Sequence, residues 1–236
     1  MNPFSSLEAT IRTHALEKFP EEACGLIVNN KYIPCKNLHP FPSSNFAIGA
    51  KDFAKAEKKG TIQAVVHSHP EGFGGFSEHD VIACKESNVP WLLYCTQSNQ
   101  WHYVDPTGNA PLVERPWIYG IYDCYGILKD YFYQSFSIAL DDFPRGKEGE
   151  WESPEWRMFE KNFAAQGFVP VSKPEKPGDF ILMQLQAPFP NHAGVLSKPE
   201  QNVFYHHLMG RLSEASVYGG YWQKHTSQVL RHRALM

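Results

Sequence analysis

The chain lacks the marks of several protein classes. Its five cysteines, at 24, 35, 84, 95 and 124, are odd in number and form no C-x-x-C pair. That speaks against a disulfide framework and against a cysteine-rich zinc site. Cys24, Cys35, Cys84 and Cys95 lie in apolar surroundings and read as small buried hydrophobes. There is no basic block: 22 Lys and Arg stand against 25 Asp and Glu, a net charge of −3. Electrostatic nucleic-acid binding therefore has no footprint here. No apolar run reaches the ~20 residues of a membrane span. The opening "MNPFSSLEATIRTHALEKF" has no apolar stretch of the secretory kind, which predicts a chain made, and at first kept, in a cytoplasm. Repeats and low-complexity tracts are also missing. What is present is 236 residues, 42% of them hydrophobic and 14% aromatic. That is enough for one large or two small packed domains, at roughly 100–200 residues each.

Proline and glycine gather in "VDPTGNAPLVERP", Val104 to Pro116, between two patterned halves. This predicts a first domain over 1–105, a linker over 106–116 and a second domain over 117–236. In the first half Phe4, Leu7 and Ile11 share a helix face. "CGLIVNNKYIPC" reads as a hairpin about Asn29 and Asn30, and "AKDFAKAEKK" as a helix. The strand "IQAVVHSH", the helix "SEHDVIACKES" and the strands "PWLLYCT" and "QWHYV" follow, giving a mixed α/β unit. The second half opens with a helix from about Cys124, then a loop from Asp141 to Pro154. A second helix follows, "PEWRMFEKNFAAQ", with Pro154 in its first turn. The strand-like runs "FILMQLQ", "HAGVLS" and "NVFYHHLM" come next, and "SQVLRHR" is expected to close the sheet. Helices first and strands later is an α+β order.

One stretch looks arranged for chemistry: "VVHSHPEGFGGFSEHD", Val65 to Asp80. Residues i and i+2 of a strand point to the same side, so His67 and His69 present two imidazoles together. Zinc takes neutral imidazole nitrogens, and Asp80 offers a carboxylate as a third ligand. A fourth position left to water marks a catalytic rather than a structural site. The blander reading of Ser77-x-x-Asp80 is a helix cap, which is compatible with catalysis.

His67-Ser68-His69-Pro70, with Ser77 and Asp80 following at fixed remove, resembles the JAMM (MPN+) metalloprotease motif. The family's upstream glutamate, in an E-x-x-G context before a strand, has its counterpart in Glu22-Ala23-Cys24-Gly25. The resemblance covers roughly residues 1–105 and implies a cytidine-deaminase-like mixed sheet with helices. It implies Zn2+ held by His67, His69 and Asp80, Glu22 as general acid/base, and Ser77 hydrogen-bonding the oxyanion. Glu21 is the rival to Glu22; the distance to Gly25 favours Glu22.

The second half carries its own nucleophile candidate. Cys124 begins a helical run, and a helix N-terminus favours the thiolate near neutral pH. His192 and the pair His206-His207 supply candidate bases on later strands. Asp123-Cys124, Pro177-Gly178-Asp179, His192-Ala193-Gly194 and Phe204-Tyr205-His206 together resemble the NlpC/P60 papain-like peptidases. Tyr125-Gly126 stands where Ser-Gly is usual. The resemblance covers about residues 112–236 and implies Cys124 as nucleophile, His192 as base and a third polar residue orienting the imidazole. Adjacent strand residues face opposite sides, so only one of His206 and His207 points in; His206 is the choice.

A JAMM domain followed by an NlpC/P60 domain resembles the tail-assembly proteins of lambda-like bacteriophages. That implies a tail-tip component with two peptidase heads, one a zinc isopeptidase-like hydrolase, the other cutting peptide stems of bacterial peptidoglycan. Its partners would be the other phage tail-tip proteins, and its location the host cytoplasm during assembly and then the virion tail tip. The contrasting readings are a structural tail-tip factor with one or both sites vestigial, and a JAMM protease that processes a protein or sulfur-carrier partner.

Overall fold

The computed structural model describes residues 2–70, 74–145 and 157–236. The chain divides into two compact units, Met1–Thr107 and Gly108–Met236.

In the first unit, helix α1 (Glu8–Lys18) follows a short turn at Ser5–Leu7. Its inner face, with Phe4 and Leu7, packs on Ile27, Ala64, Val66 and Leu92. Strands β1 (Cys24–Val28) and β2 (Lys31–Cys35) form the expected hairpin. Asn29 and Asn30 take φ of 51° and 55°, the left-handed values that a two-residue hairpin turn requires and asparagine tolerates. Helix α2 (Ala50–Glu57), strand β3 (Ile62–His69), helix α3 (Glu78–Ser87) and strands β4 (Trp91–Cys95) and β5 (Gln100–Val104) complete the unit. The sheet order is β2-β1-β3-β4-β5. Only β3 and β4, joined through α3, run parallel. This is the mixed α/β layout that the alternation of strands and helices predicts.

The second unit begins with an anchored segment. Arg115 is buried, bonded to Asp130 and to the carbonyls of Ala110 and Pro111. Its backbone N–H donates to Ser213 Oγ at 2.9 Å. Helix α4 (Cys124–Phe136) follows, then α5, which spans Met158–Asn162. The expected helix start at Pro154 lies outside the described residues, as does most of the loop before it. Six antiparallel strands form the sheet: β6 (Phe168–Val171), β7 (Phe180–Met183), β8 (His192–Lys198), β9 (Val203–His206), β10 (Glu214–Val217) and β11 (Thr226–His232). The order is β10-β9-β8-β7-β11-β6. A one-turn helix, α6 (Tyr221–Lys224), precedes β11.

Two strands, β6 and β10, go beyond the sequence reading. Both are edges, where short polar or proline-bearing strands are tolerated; β6 carries Pro170 and β10 reads Glu-Ala-Ser-Val. The run expected to close the sheet, β11, instead pairs with both β7 and β6. Leu128, Phe132, Phe168, Phe180 and Val195 centre the core between α4 and the sheet. Below it Asp179 is fully buried, its carboxylate accepting from Arg231 Nε and Nη2 at 2.6 and 2.7 Å. The Pro-Gly-Asp motif thus ends in a bidentate ion pair.

Candidate active sites

In the first unit β3 is interior to the sheet, with Cys24 opposite His67 on one side and Leu93 on the other. Its alternation puts His67 and His69 on one face, and Pro70 ends the ladder. Asp80 arrives from α3, whose start is fixed by a capping box. The Asp80 N–H donates to Ser77 Oγ at 3.2 Å and the Ser77 N–H to Asp80 Oδ2 at 2.8 Å. The cap and the site are therefore one arrangement.

The three side chains converge. His67 Nε2 and His69 Nε2 are 3.2 Å apart. Asp80 Oδ1 lies 3.3 Å from His67 Nε2, and Asp80 Oδ2 lies 3.3 Å from His69 Nε2. Ligand bonds of 2.0–2.2 Å around a tetrahedral ion place donor atoms about 3.3–3.5 Å from one another. The imidazole pair is close to that spacing, each imidazole faces its own Asp80 oxygen, and one donor atom from each of the three residues lies within 4.8 Å of the others. Together they offer the neutral nitrogen and carboxylate chemistry that zinc accepts. His67 is sandwiched by rings: Phe46 stacks on it at 4.6 Å, and Trp91 meets it edge-on at 5.4 Å. Its Nδ1 is buried without a hydrogen-bond partner among the described residues. Ring packing thus orients this imidazole, where a metal-binding histidine usually has a polar second contact.

Glu22 stands at the mouth of β1, buried, with Oε1 3.9 Å from His69 Nε2. Burial pushes its carboxyl up to about 7, against the pull of His69. Glu21 is exposed. Gly25 completes the local pattern, because a side chain there would collide with the Tyr32 ring and the Ile33 carbonyl. Burial lowers the pKa of His67. For His69 burial is outweighed by Asp80 and Glu22, and its pKa rises. Burial also opposes the charge of Asp80, yet the two imidazoles and Ser77 hold its carboxyl far below the usual range. Ser77 Oγ donates to Asp80 Oδ2 at 2.7 Å, so in this state its hydrogen serves the cap. An open groove of ≈ 540 Å³ runs past Glu22, His69 and Asp80, walled by Phe46, Phe53 and Trp91.

In the second unit Cys124 is the first residue of α4, with Asp123 as N-cap. Asp123 accepts from the N–H groups of Tyr125 and Gly126 at 3.0 and 2.7 Å, and from Arg145 Nε at 3.0 Å. Gly126 has no room for a side chain, since a Cβ would fall 1.9 Å from the Ile121 carbonyl oxygen. The thiol is not poised as the helix N-terminus alone suggests. Burial, then the Asp123 charge, pushes it up to about 12. Asp123 takes the helix-end N–H groups that would otherwise favour the thiolate. Tyr125 turns its hydroxyl to the Asp141 carbonyl at 2.8 Å, under the Arg145 guanidinium.

α4 packs against β8, and the Ala193 backbone amide supports the thiolate of Cys124. His192 begins β8. Its Nε2 lies 3.3 Å from Nδ1 of His206 on β9. His206 Nε2 in turn lies 3.1 Å from Ser216 Oγ and 3.3 Å from Glu214 Oε1, both on β10. Phe204 stacks on His206 at 4.6 Å, and Trp222 meets it edge-on at 4.4 Å. Burial lowers both imidazoles, His206 to about 4 and His192 well below its ordinary value. His207 turns the other way, its Nε2 3.0 Å from the Arg211 carbonyl. The residue brought to His192 is thus His206.

Comparison with known proteins accounts for both halves. Residues 4–105 match the family of prokaryotic homologs of the JAB domain, and residues 114–231 the NlpC/P60 family. The tail tip assembly protein K of Escherichia phage N15 is 36% identical over 94% of this chain and 93% of its own length. The chain belongs to the tail tip assembly protein K family. The protein of that name from Escherichia phage lambda is 32% identical, over 78% of this chain and 88% of its own. In this member of the K family, sequence reasoning missed the contacts of Glu214, Ser216 and Trp222 with His206. Glu214 and Ser216 sit at i and i+2, an alternation that signals one strand face, but four residues make too short a pattern to stand out.

Proposed function

We propose that this K-family protein works at the phage tail tip as a two-headed peptidase. One head is a zinc hydrolase acting on an amide in the groove of the first unit. The other is a cysteine peptidase cutting peptide stems of bacterial peptidoglycan. The observation that carries the reading is the convergence of His67, His69 and Asp80: the two Nε2 atoms are 3.2 Å apart, each has an Asp80 oxygen at 3.3 Å, and Glu22 stands at the edge. Bound there, zinc would supply a water of lowered pKa and polarise the scissile carbonyl. Glu22, with its carboxyl near 7, is suited to take a proton and pass it to the leaving amine. Ser77 supports the developing oxyanion once its hydroxyl turns from Asp80.

In the second head His192 takes the thiol proton and Cys124 attacks the carbonyl carbon. The amine leaves with that proton, and water then hydrolyses the thioester. Both groups start neutral, because burial disfavours the charged form of each. The partners are other tail-tip proteins, and the place is the host cytoplasm during assembly, then the tail tip.

A second reading keeps the assembly role and drops the cysteine chemistry. It is favoured by the high thiol pKa and by the narrow pocket at Cys124, ≈ 20 Å³, walled by Trp117, Tyr119 and Tyr125.

The test combines metal content with digestion. The purified chain and a His67→Ala/His69→Ala variant are assayed for zinc; about one zinc per chain, absent from the variant, is expected. Purified sacculi are then incubated with wild type and with Cys124→Ala, and new amino termini are counted. Release by wild type alone supports the cysteine head. No release by either, with the chain folded, selects the second reading.

A further inference from the structure

The polar chain behind Cys124 continues past the third residue, as far as the sheet edge. His206 is held at both ring nitrogens: Nδ1 lies 3.3 Å from His192 Nε2, and Nε2 lies 3.1 Å from Ser216 Oγ and 3.3 Å from Glu214 Oε1. The register explains the placement. Glu214 stands directly across from His206 in the β9–β10 ladder, and Ser216 is two residues further along the same face.

We propose that Glu214 and Ser216 are positioning residues that set the tautomers of both imidazoles, and so choose which nitrogen of His192 is basic. A hydroxyl by itself leaves the choice open, because it donates or accepts equally well. A carboxylate accepts only. Its oxygen beside Nε2 favours the His206 form with the hydrogen on Nε2 and a bare Nδ1. A bare Nδ1 accepts, so His192 places its own hydrogen on Nε2. The free lone pair of His192 is then on Nδ1, and that atom receives the thiol proton. When it does, the imidazolium donates from Nε2 to His206, whose Nε2–H already points at the β10 acceptors. No proton leaves His206 at any stage. Glu214 is half-exposed, with 51% of its side chain accessible, while His206 is fully buried. The acceptor at the rim thus governs a nitrogen two rings inward. Tautomer control of this kind decides the activity of a histidine base even where the geometry is unchanged.

This inference rests on the cysteine-peptidase reading, but its test needs no substrate. Histidine ring 15N shifts and couplings are recorded on the wild-type chain. Separately, alkylation of Cys124 by iodoacetamide is followed at pH 7, where reaction requires the proton to rest on His192. The expectation is an Nε2–H form for both His192 and His206. In Glu214→Ala/Ser216→Ala the Nδ1–H form of His206 becomes detectable and alkylation slows by roughly tenfold. Glu214→Asp keeps the wild-type tautomers. A wild-type His206 carrying its hydrogen on Nδ1 overturns the proposal, whatever the variants do. So does a folded double variant with unchanged tautomers and an unchanged alkylation rate. A wild type with the expected tautomers but no hydrolysis of sacculi rejects the peptidase reading and leaves this one standing.

Discussion

The two candidate sites keep their key groups in opposite conditions. Glu22 is raised by burial to a value near neutrality, where a carboxyl both takes and gives protons. Cys124 is raised by burial and Asp123 to about 12, where the thiolate is scarce. An ordinary protein thiol levels off in reactivity at about 8.5–9. For Cys124 the alkylation rate is expected to keep climbing with pH through 9 and 10; a plateau below pH 8 would contradict the burial argument. The ligand and nucleophile candidates were legible in the sequence because each rests on a local signal: an i, i+2 histidine pair, a capping spacing, a cysteine at a helix start. Of the two glutamates weighed there, Glu22 is buried and Glu21 is exposed. The ring sandwich on His67 and the acceptors at His206 were not legible. Phe46 and Glu214 reach their histidines only through tertiary packing, across a sheet face or a strand pair.

At the scale of elements, caps and close approaches decide where these side chains point. Ser77→Ala removes the hydroxyl that holds the α3 start and is expected to cost about 1 kcal/mol. Zinc binding should survive it, because the Ser77 backbone N–H still bonds Asp80 Oδ2 at 2.8 Å; metal content and denaturant titration read the two effects separately. Gly126→Ala is a harsher change. Its methyl would fall 1.9 Å from the Ile121 carbonyl, so the first turn of α4 must move, at about 2–3 kcal/mol or more. Urea unfolding of the second unit measures that loss, and a shift under about 0.5 kcal/mol would mean the turn relaxes freely. Most elements could be read from periodicity and turn residues. The edge strands could not: Pro170 argues against a strand, and Glu-Ala-Ser-Val is too short and polar to declare one.

Each unit carries core clusters of its own, the first around Ile27, Val66 and Leu92, the second around Phe132, Phe180 and Leu230. Fragments 1–107 and 108–236 are therefore expected to fold alone, with circular dichroism and cooperative melting as the check. Their responses to acid should differ. His206 titrates near 4 in the folded second unit and near 6.5 when unfolded, because burial disfavours its charge. Between those values the unfolded chain binds more protons, so stability is intact above pH 6.5 and falls as pH drops toward 4. The part due to His206 amounts to about 3 kcal/mol. Thermal melts of fragment 108–236 across that window should show it; His206→Asn should make the slope shallower without abolishing it, because burial lowers His192 in the same unit as well.

The placement of the strands also sets a clock. His67 belongs to an interior strand, bonded on both flanks, and its amide should be among the last in the first unit to exchange with heavy water. Glu214 and Ser216 ride on a four-residue edge strand paired only with β9. Such a strand frays at little cost, and fraying strips the acceptors from His206 while α4 and β8 stay folded. The proposed cysteine site would then fall silent by local melting of a rim, long before the core of its unit opened, whereas the proposed zinc site would share the lifetime of its sheet.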